Sequence, residues 1–245
     1  MAAPGVGKIE VGAVIRKVWS IYVDQAPVLM PAAAVVFVFT GIISVLLLQS
    51  SSGLAFLALL IGLIATTLFT GMVVELVADV QDGRRDATPG QLLRAATPVL
   101  GPLILIAIVV GVLTLIGFVL IVVPGLIALT VWSVAAPVVV LERPPGLKAM
   151  RRSRELVSGN GWRVFGVILV LDLVVAVVVG AIEIAAESAG TGGGIVARVV
   201  LGVLTAPLSA LAAAVLYFEL LRAHGQRPEP DAVPVAAPTD PFGGS

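Results

Sequence analysis

Residues 25–74 read QAPVLMPAAAVVFVFTGIISVLLLQSSSGLAFLALLIGLIATTLFTGMVV, 50 positions without one charged side chain. A helical bilayer crossing takes about 20 residues, so this window holds two crossings and a tight return. The return is expected at Gln49-Ser50-Ser51-Ser52-Gly53. A second charge-free window, 95–141, is 47 residues long and turns at Val123-Pro124-Gly125. The third apolar region, 164–218, is interrupted by Asp172, Glu183, Glu187 and Arg198, with its turn at Gly190-Thr191-Gly192-Gly193-Gly194.

Six spans follow, at 27–49, 54–78, 99–122, 125–141, 163–186 and 195–222. The fourth is the shortest; its 17 residues rise only about 26 Å, which suits an untilted or partly buried segment. Long continuous apolar runs specify helices, because barrel strands alternate at every residue. The expected fold class is all-α: a polytopic membrane protein with six transmembrane helices as three hairpins, and cytoplasmic amphipathic helices.

Composition supports the same class. Apolar residues make up 59% of the 245 and charged residues 12%, about half the usual charged share of a soluble domain. Fifteen Lys and Arg balance fifteen Asp and Glu, so no nucleic acid partner is expected. Absence of cysteine removes disulfides and thiolate chemistry. His224 is the one histidine, which removes paired-histidine metal motifs. No signal peptide is expected, since Lys8, Glu10, Arg16 and Lys17 interrupt the N-terminus.

Basic residues near the span ends set orientation. Fourteen of the fifteen fall on one side, leaving only Arg198 on the other. Both termini are therefore expected in the cytoplasm of a cell with this protein in its plasma membrane. Three domains result: an N-terminal interfacial helix within 1–26, a six-span membrane domain over 27–225, and a disordered Pro-rich tail over 226–245. In the first, Val11, Val14, Ile15, Val18 and Tyr22 share an arc opposite Arg16, Lys17, Ser20 and Asp24. Trp19 and Tyr22 suit the headgroup level, so this helix is expected to lie in the interface plane.

Each hairpin is preceded by a basic helical segment: Ala13-Val14-Ile15-Arg16-Lys17, Gln91-Leu92-Leu93-Arg94-Ala95, and Lys148-Ala149-Met150-Arg151-Arg152. Each ends at an acid, namely Glu75, Glu142 and Glu219. The pattern reads either as one unit, a surface helix and two spans, used three times, or as a product of the topology alone.

Candidate sites are few. Asp172 is the one ionisable side chain expected near the bilayer midplane, where a charge costs at least ~2.5–3.5 kcal/mol. It reads either as a carboxyl hydrogen-bonded to hydroxyls such as Thr66, Thr70, Ser133 or Thr205, or as the proton or cation carrier of a small permease. Lys148, Arg151, Arg152 and Arg154 crowd one cytoplasmic connection and read as a headgroup site for anionic phospholipids or as topology signals alone. Asp79-x-x-Asp82-Gly83 resembles the opening of the CDP-alcohol phosphotransferase motif. Asp86-Ala87 stands where Ala-Arg should follow, and the next acid is Glu142, so the ligand set of such a lipid enzyme is incomplete. No zincin, nucleophile-elbow or Walker motif occurs. Neither a catalytic centre, a metal nor a cofactor is expected. Pro137 and Pro207 read as kinks, and the stripes Gly62-Thr66-Thr70 and Ala206-Ala210-Ala214 as close-packing faces.

Val123-Pro124-Gly125, Glu142, Gly146-Leu147, Ala149, Arg152-Ser153, Leu156-Val157, Gly159, Trp162 and Phe165-Gly166 together resemble the glycerophosphoryl diester phosphodiesterase membrane-domain family. With Trp19, Tyr22 and the ending 217–225, the resemblance covers about residues 9–225. It implies a six-span bacterial or archaeal envelope protein, in some relatives placed before a catalytic barrel. That barrel's His-Arg and paired-Glu motif has no counterpart here. The expectation is a non-enzymatic module associated with the lipid bilayer or with a partner protein whose identity stays open.

Overall fold

The computed structural model describes residues 7–48, 52–83, 88–120, 122–145, 147–187 and 190–226. Among them the chain is helical and contains no strand. The first hairpin is α2 (Ala26–Leu48) and α3 (Ser52–Gln81), preceded by α1 (Val11–Asp24). The second is α5 (Leu100–Leu120) followed by α6 (Val122–Val131) and α7 (Ala135–Leu141); α4 (Pro89–Ala96) and a 3-10 turn (Thr97–Val99) lead into it. The third is α9 (Gly161–Glu187) and α10 (Gly190–Ala223), preceded by α8 (Lys148–Val157). Six stretches are long and apolar enough to cross a membrane, and they coincide with the six expected spans.

Their outward faces confirm the solvent. Val119 is 77% exposed, Ile184 73% and Leu173 63%, all within long apolar helices. Water does not tolerate an apolar belt of that extent, whereas hydrocarbon does. The protein is a multi-pass membrane protein.

α10 is the central helix, packed against α1, α2, α3, α7, α8 and α9. Contact with α2 is close: a Cβ on Gly202 would lie 2.3 Å from the Phe37 ring. The second hairpin closes in the same way. A Cβ on Gly117 would meet the Gly125 backbone at 2.9 Å, so α5 and α6 approach backbone to backbone just beside the turn.

Three expectations are corrected. Residues 190–194 form the start of α10, not a turn. A helix satisfies its backbone polar groups internally, and that outweighs glycine's helix penalty of about 1 kcal/mol per residue where water is scarce. Second, the fourth span is broken at Trp132–Val134. Pro137 offers no N–H to the Ser133 carbonyl, so the helix stops one turn before it and restarts. The restarted piece, α7, is buried at Ala135, Pro137, Val138, Val139 and Val140, in line with the partly buried segment expected from its length.

Third, α1 does not lie free in an interface plane. Its Val14, Val18 and Ile21 are buried in protein. Lys17 pairs with Glu219, while the Tyr22 hydroxyl donates to the Leu204 carbonyl further back along α10, so α1 leans along that helix. The expected return at Gln49-Ser50-Ser51, the pair Arg84-Arg85 and the tail beyond Gln226 lie outside the described residues.

The threefold pattern is visible in burial. Aligned on Arg16, Arg94 and Arg151, the three leading segments bury the same positions: Val14, Leu92 and Ala149; Val18, Ala96 and Ser153; Ile21, Val99 and Leu156.

Candidate functional site

Ion pairs tie the three hairpins together at one end. Glu142, closing the second, accepts from Arg152 Nε at 2.9 Å and from the Tyr217 hydroxyl at 2.9 Å. Glu219, near the end of the third, accepts from Lys17 Nζ at 2.9 Å and from its neighbour Arg222 at 2.7 Å. Gln81 joins them, its carbonyl accepting from Arg222 at 2.7 Å. Glu75, closing the first hairpin, lies 4.0 Å from Arg143. In the aligned segments Lys17 and Arg152 share a position with Ala95, so Glu75 lacks the equivalent cation.

Asn160 sits at the same end, 2% exposed. Its Oδ1 accepts from the Ile9 amide at 3.2 Å and its Nδ2 donates to the Gly7 carbonyl at 3.0 Å, pinning the N-terminal segment to the start of α9. Arg163 adds a bond to the Ile9 carbonyl at 2.6 Å. Sequence reading missed Asn160 and Tyr217 because a polar residue beside an apolar helix looks like a surface residue until its partners are known.

The four basic residues of α8 divide. Ala149, Ser153, Leu156 and Val157 are buried, and Ser153 Oγ donates to the Val131 carbonyl at 2.8 Å. The inward face of α8 is thus occupied by protein. Arg152 points inward to Glu142 and to Gln226, at 2.9 and 2.8 Å. Lys148, Arg151 and Arg154 are exposed, Arg151 with an i,i+4 neighbour, Glu155, at 3.3 Å. Such an exposed pair contributes little, so all three cations remain available to anions. An apolar groove of about 460 Å³ is lined by α6 and α9 with Val157 of α8, and includes Trp162, which is 86% exposed.

A second cavity is a cleft between helices of the membrane domain, open at exposed Leu115 and Phe118. It has a volume of about 560 Å³ and is walled by α3, α5 and the α6–α7 break. Thr66, Thr67, Thr70, Thr114 and Ser133 line it among apolar side chains. The stripe Gly62-Thr66-Thr70 is therefore no close-packing face; a Cβ added at Gly62 meets nothing within 4 Å. The stripe on α10 behaves as expected, with Ala210 and Ala214 buried. Pro207 lies within continuous α10, whereas Pro137 follows the break.

Asp172 is exposed on α9, and none of these hydroxyls reaches it. Neither the groove nor the cleft is lined by it. Asp79 is partly buried with one carboxylate oxygen unpartnered. No group of three or more His, Asp or Glu side chains is placed to share a metal ion among the described residues.

Residues 92–222 match the family model described as "Domain of unknown function (DUF8558)". No curated protein and no solved structure matches the chain.

Proposed function

The chain belongs to the DUF8558 family, and we propose that it is a non-enzymatic module of the plasma membrane that holds anionic phospholipid on α8. The observation that supports this reading is the division of α8 into an inward face buried on protein and an outward face carrying Lys148, Arg151 and Arg154. Each cation near an anionic surface contributes about 1 kcal/mol, so the three together supply several before screening. The acids at the hairpin ends are spent on structural pairs, which favours a module without a catalytic centre. The fourteen-to-one distribution of basic residues supports a cytoplasmic location for both termini. Kinship with the glycerophosphoryl diester phosphodiesterase membrane domains belongs to the same proposal, resting on the motif residues between 123 and 166.

The test is lipid retention. Purified protein with Lys148, Arg151 and Arg154 changed to Gln should lose phosphatidylglycerol and cardiolipin that the wild type retains, and high salt should mimic the change. Arg152→Gln should instead lower thermal stability and leave retention unchanged, because that guanidinium faces Glu142. Equal retention by wild type and the triple variant at low salt would sink the reading. Since the chain has no cysteine, single-cysteine labelling at positions 88 and 148 tests orientation; labelling from outside the cell overturns it.

A further inference from the structure

Asp172 lies 11 residues beyond Gly161, where the span Gly161–Ile184 begins. That is about 16 Å along a helix, close to the middle of a hydrocarbon layer about 30 Å thick. The side chain is exposed, and among the described residues it has neither a hydrogen bond nor an ion pair. Ionisable residues inside membrane spans almost always face another helix or a watery cavity, because lipid tails give them no partner. Asp172 faces neither within its own chain.

The face around it suits a helix. Leu169, Asp172, Leu173, Ala176 and Gly180 fall within an arc of about 100° at 3.6 residues per turn. α10, α1 and α6 pack against α9 and leave this arc open. Leu169 is 52% exposed and Leu173 63%, Ala176 is exposed, and a Cβ on Gly180 would meet nothing within 4 Å. Ala176 and Gly180, one turn apart, let another backbone come close, and Asp172 stands one turn before Ala176.

Three occupants compete for such a face. Lipid covers the leucines but gives the carboxyl no partner. A foreign helix bearing Lys or Arg would bring a second charged side chain into hydrocarbon. A second copy of the chain brings a second carboxyl, and two facing carboxyls share a proton rather than both stay charged. Copies enter a membrane in one orientation, so their two-fold axis runs along the bilayer normal and each residue meets its own counterpart at its own depth. Glu183, on the same arc, falls at the end of the span, where water and salt screen the pair.

We propose that this arc of α9 is the interface between two copies of the chain, with the two Asp172 carboxyls hydrogen-bonded to each other. The surface is separate from the anionic-lipid face on α8 and does not depend on it.

Because the chain has no cysteine, disulfide trapping reads this interface cleanly. Single-cysteine variants of the full chain are reconstituted in phosphatidylcholine vesicles at high lipid-to-protein ratio and oxidised with copper phenanthroline. Ala176→Cys and Leu169→Cys should form covalent dimers in clear excess over Val170→Cys and Val174→Cys, which are exposed on the other side of α9 and report random collision. In the Ala176→Cys background, Asp172→Leu should lower the dimer yield about 5-fold, the effect of a lost interhelical hydrogen bond. Asp172→Asn, whose amide pairs with itself, should keep the yield. Thermal unfolding of each variant is read alongside, and Leu169→Cys decides if Ala176→Cys does not fold. Equal trapping at positions 169, 170, 174 and 176, or a yield that Asp172→Leu leaves unchanged, overturns the proposal.

Discussion

The stripes Gly62-Thr66-Thr70 on α3 and Ala206-Ala210-Ala214 on α10 share one spacing and meet opposite surroundings. On α10 the stripe is enclosed; Ala214 is 0% exposed and its helix is packed by six others. On α3, Thr66 and Thr70 line an open cleft together with Trp132 and Ser133 at the break in the fourth span, and Gly62 has no neighbour within reach of an added Cβ. Threonine hydroxyls bonded to their own helix tolerate that opening at little cost, whereas alanine stripes gain only from a close neighbour. Small residues in register permit close approach. Whether approach happens is decided by the opposite helix.

The sharpest way to break the comparison is to enlarge both stripes. Ala214→Leu adds three carbons where there is no room and should cost about 3 kcal/mol by overpacking, read as a fall in the thermal midpoint of purified protein. Gly62→Leu should stay within about 0.5 kcal/mol of wild type. Similar losses from the two variants would mean that the face around Gly62 is closely packed in the membrane.

Moving along α10 to its polar end carries the contrast further. Glu142→Ala removes the acceptor shared by Arg152 and Tyr217 and should cost about 2 kcal/mol, the range for hydrogen bonds to a charged group. Arg154→Ala, on the same α8 but facing outward, should change the denaturation midpoint by less than a quarter as much. A midpoint shift for Arg154→Ala equal to that for Glu142→Ala would show that the outward cations are also structural.

At the cleft the sign reverses. Thr114→Val removes an unpaired buried hydroxyl and should raise the stability of the protein by about 1 kcal/mol. A loss of that size would show instead that Thr114 has a structural bond. The smallest effect belongs to Asp172→Asn, expected within about 0.5 kcal/mol because the exposed carboxyl holds no helix of its own chain in place. Its level in the membrane should stay the same or rise, as judged by quantitative immunoblotting of the inserted fraction.

Burial at the hairpin ends was partly legible beforehand. The arc expected on the first helix holds Val14 and Val18, which are indeed buried. What that arc meets was misread as lipid. Helical periodicity reports a face that avoids water, and a bilayer and a protein core satisfy it equally. Arg152 shows the same limit. On the wheel it belongs with Arg151 and Arg154, yet a long side chain beside a half-buried Glu142 turns inward.

By itself the sequence determined the six spans, their pairing into hairpins and the polar end with its cations. These follow from local quantities: a run of about 20 uncharged residues must cross, a short connection forces neighbouring spans antiparallel, and charge must stay in water. Tertiary structure alone decided that residues 190–194 extend α10, that the fourth span breaks before Pro137, that Asp172 stands apart from the hydroxyls, and that Thr114 lines a cleft. Each of those depends on which helix lies opposite. Between helices in lipid the hydrophobic effect hardly discriminates, so shape and hydrogen bonding make the choice, and neither is written in the period of one segment.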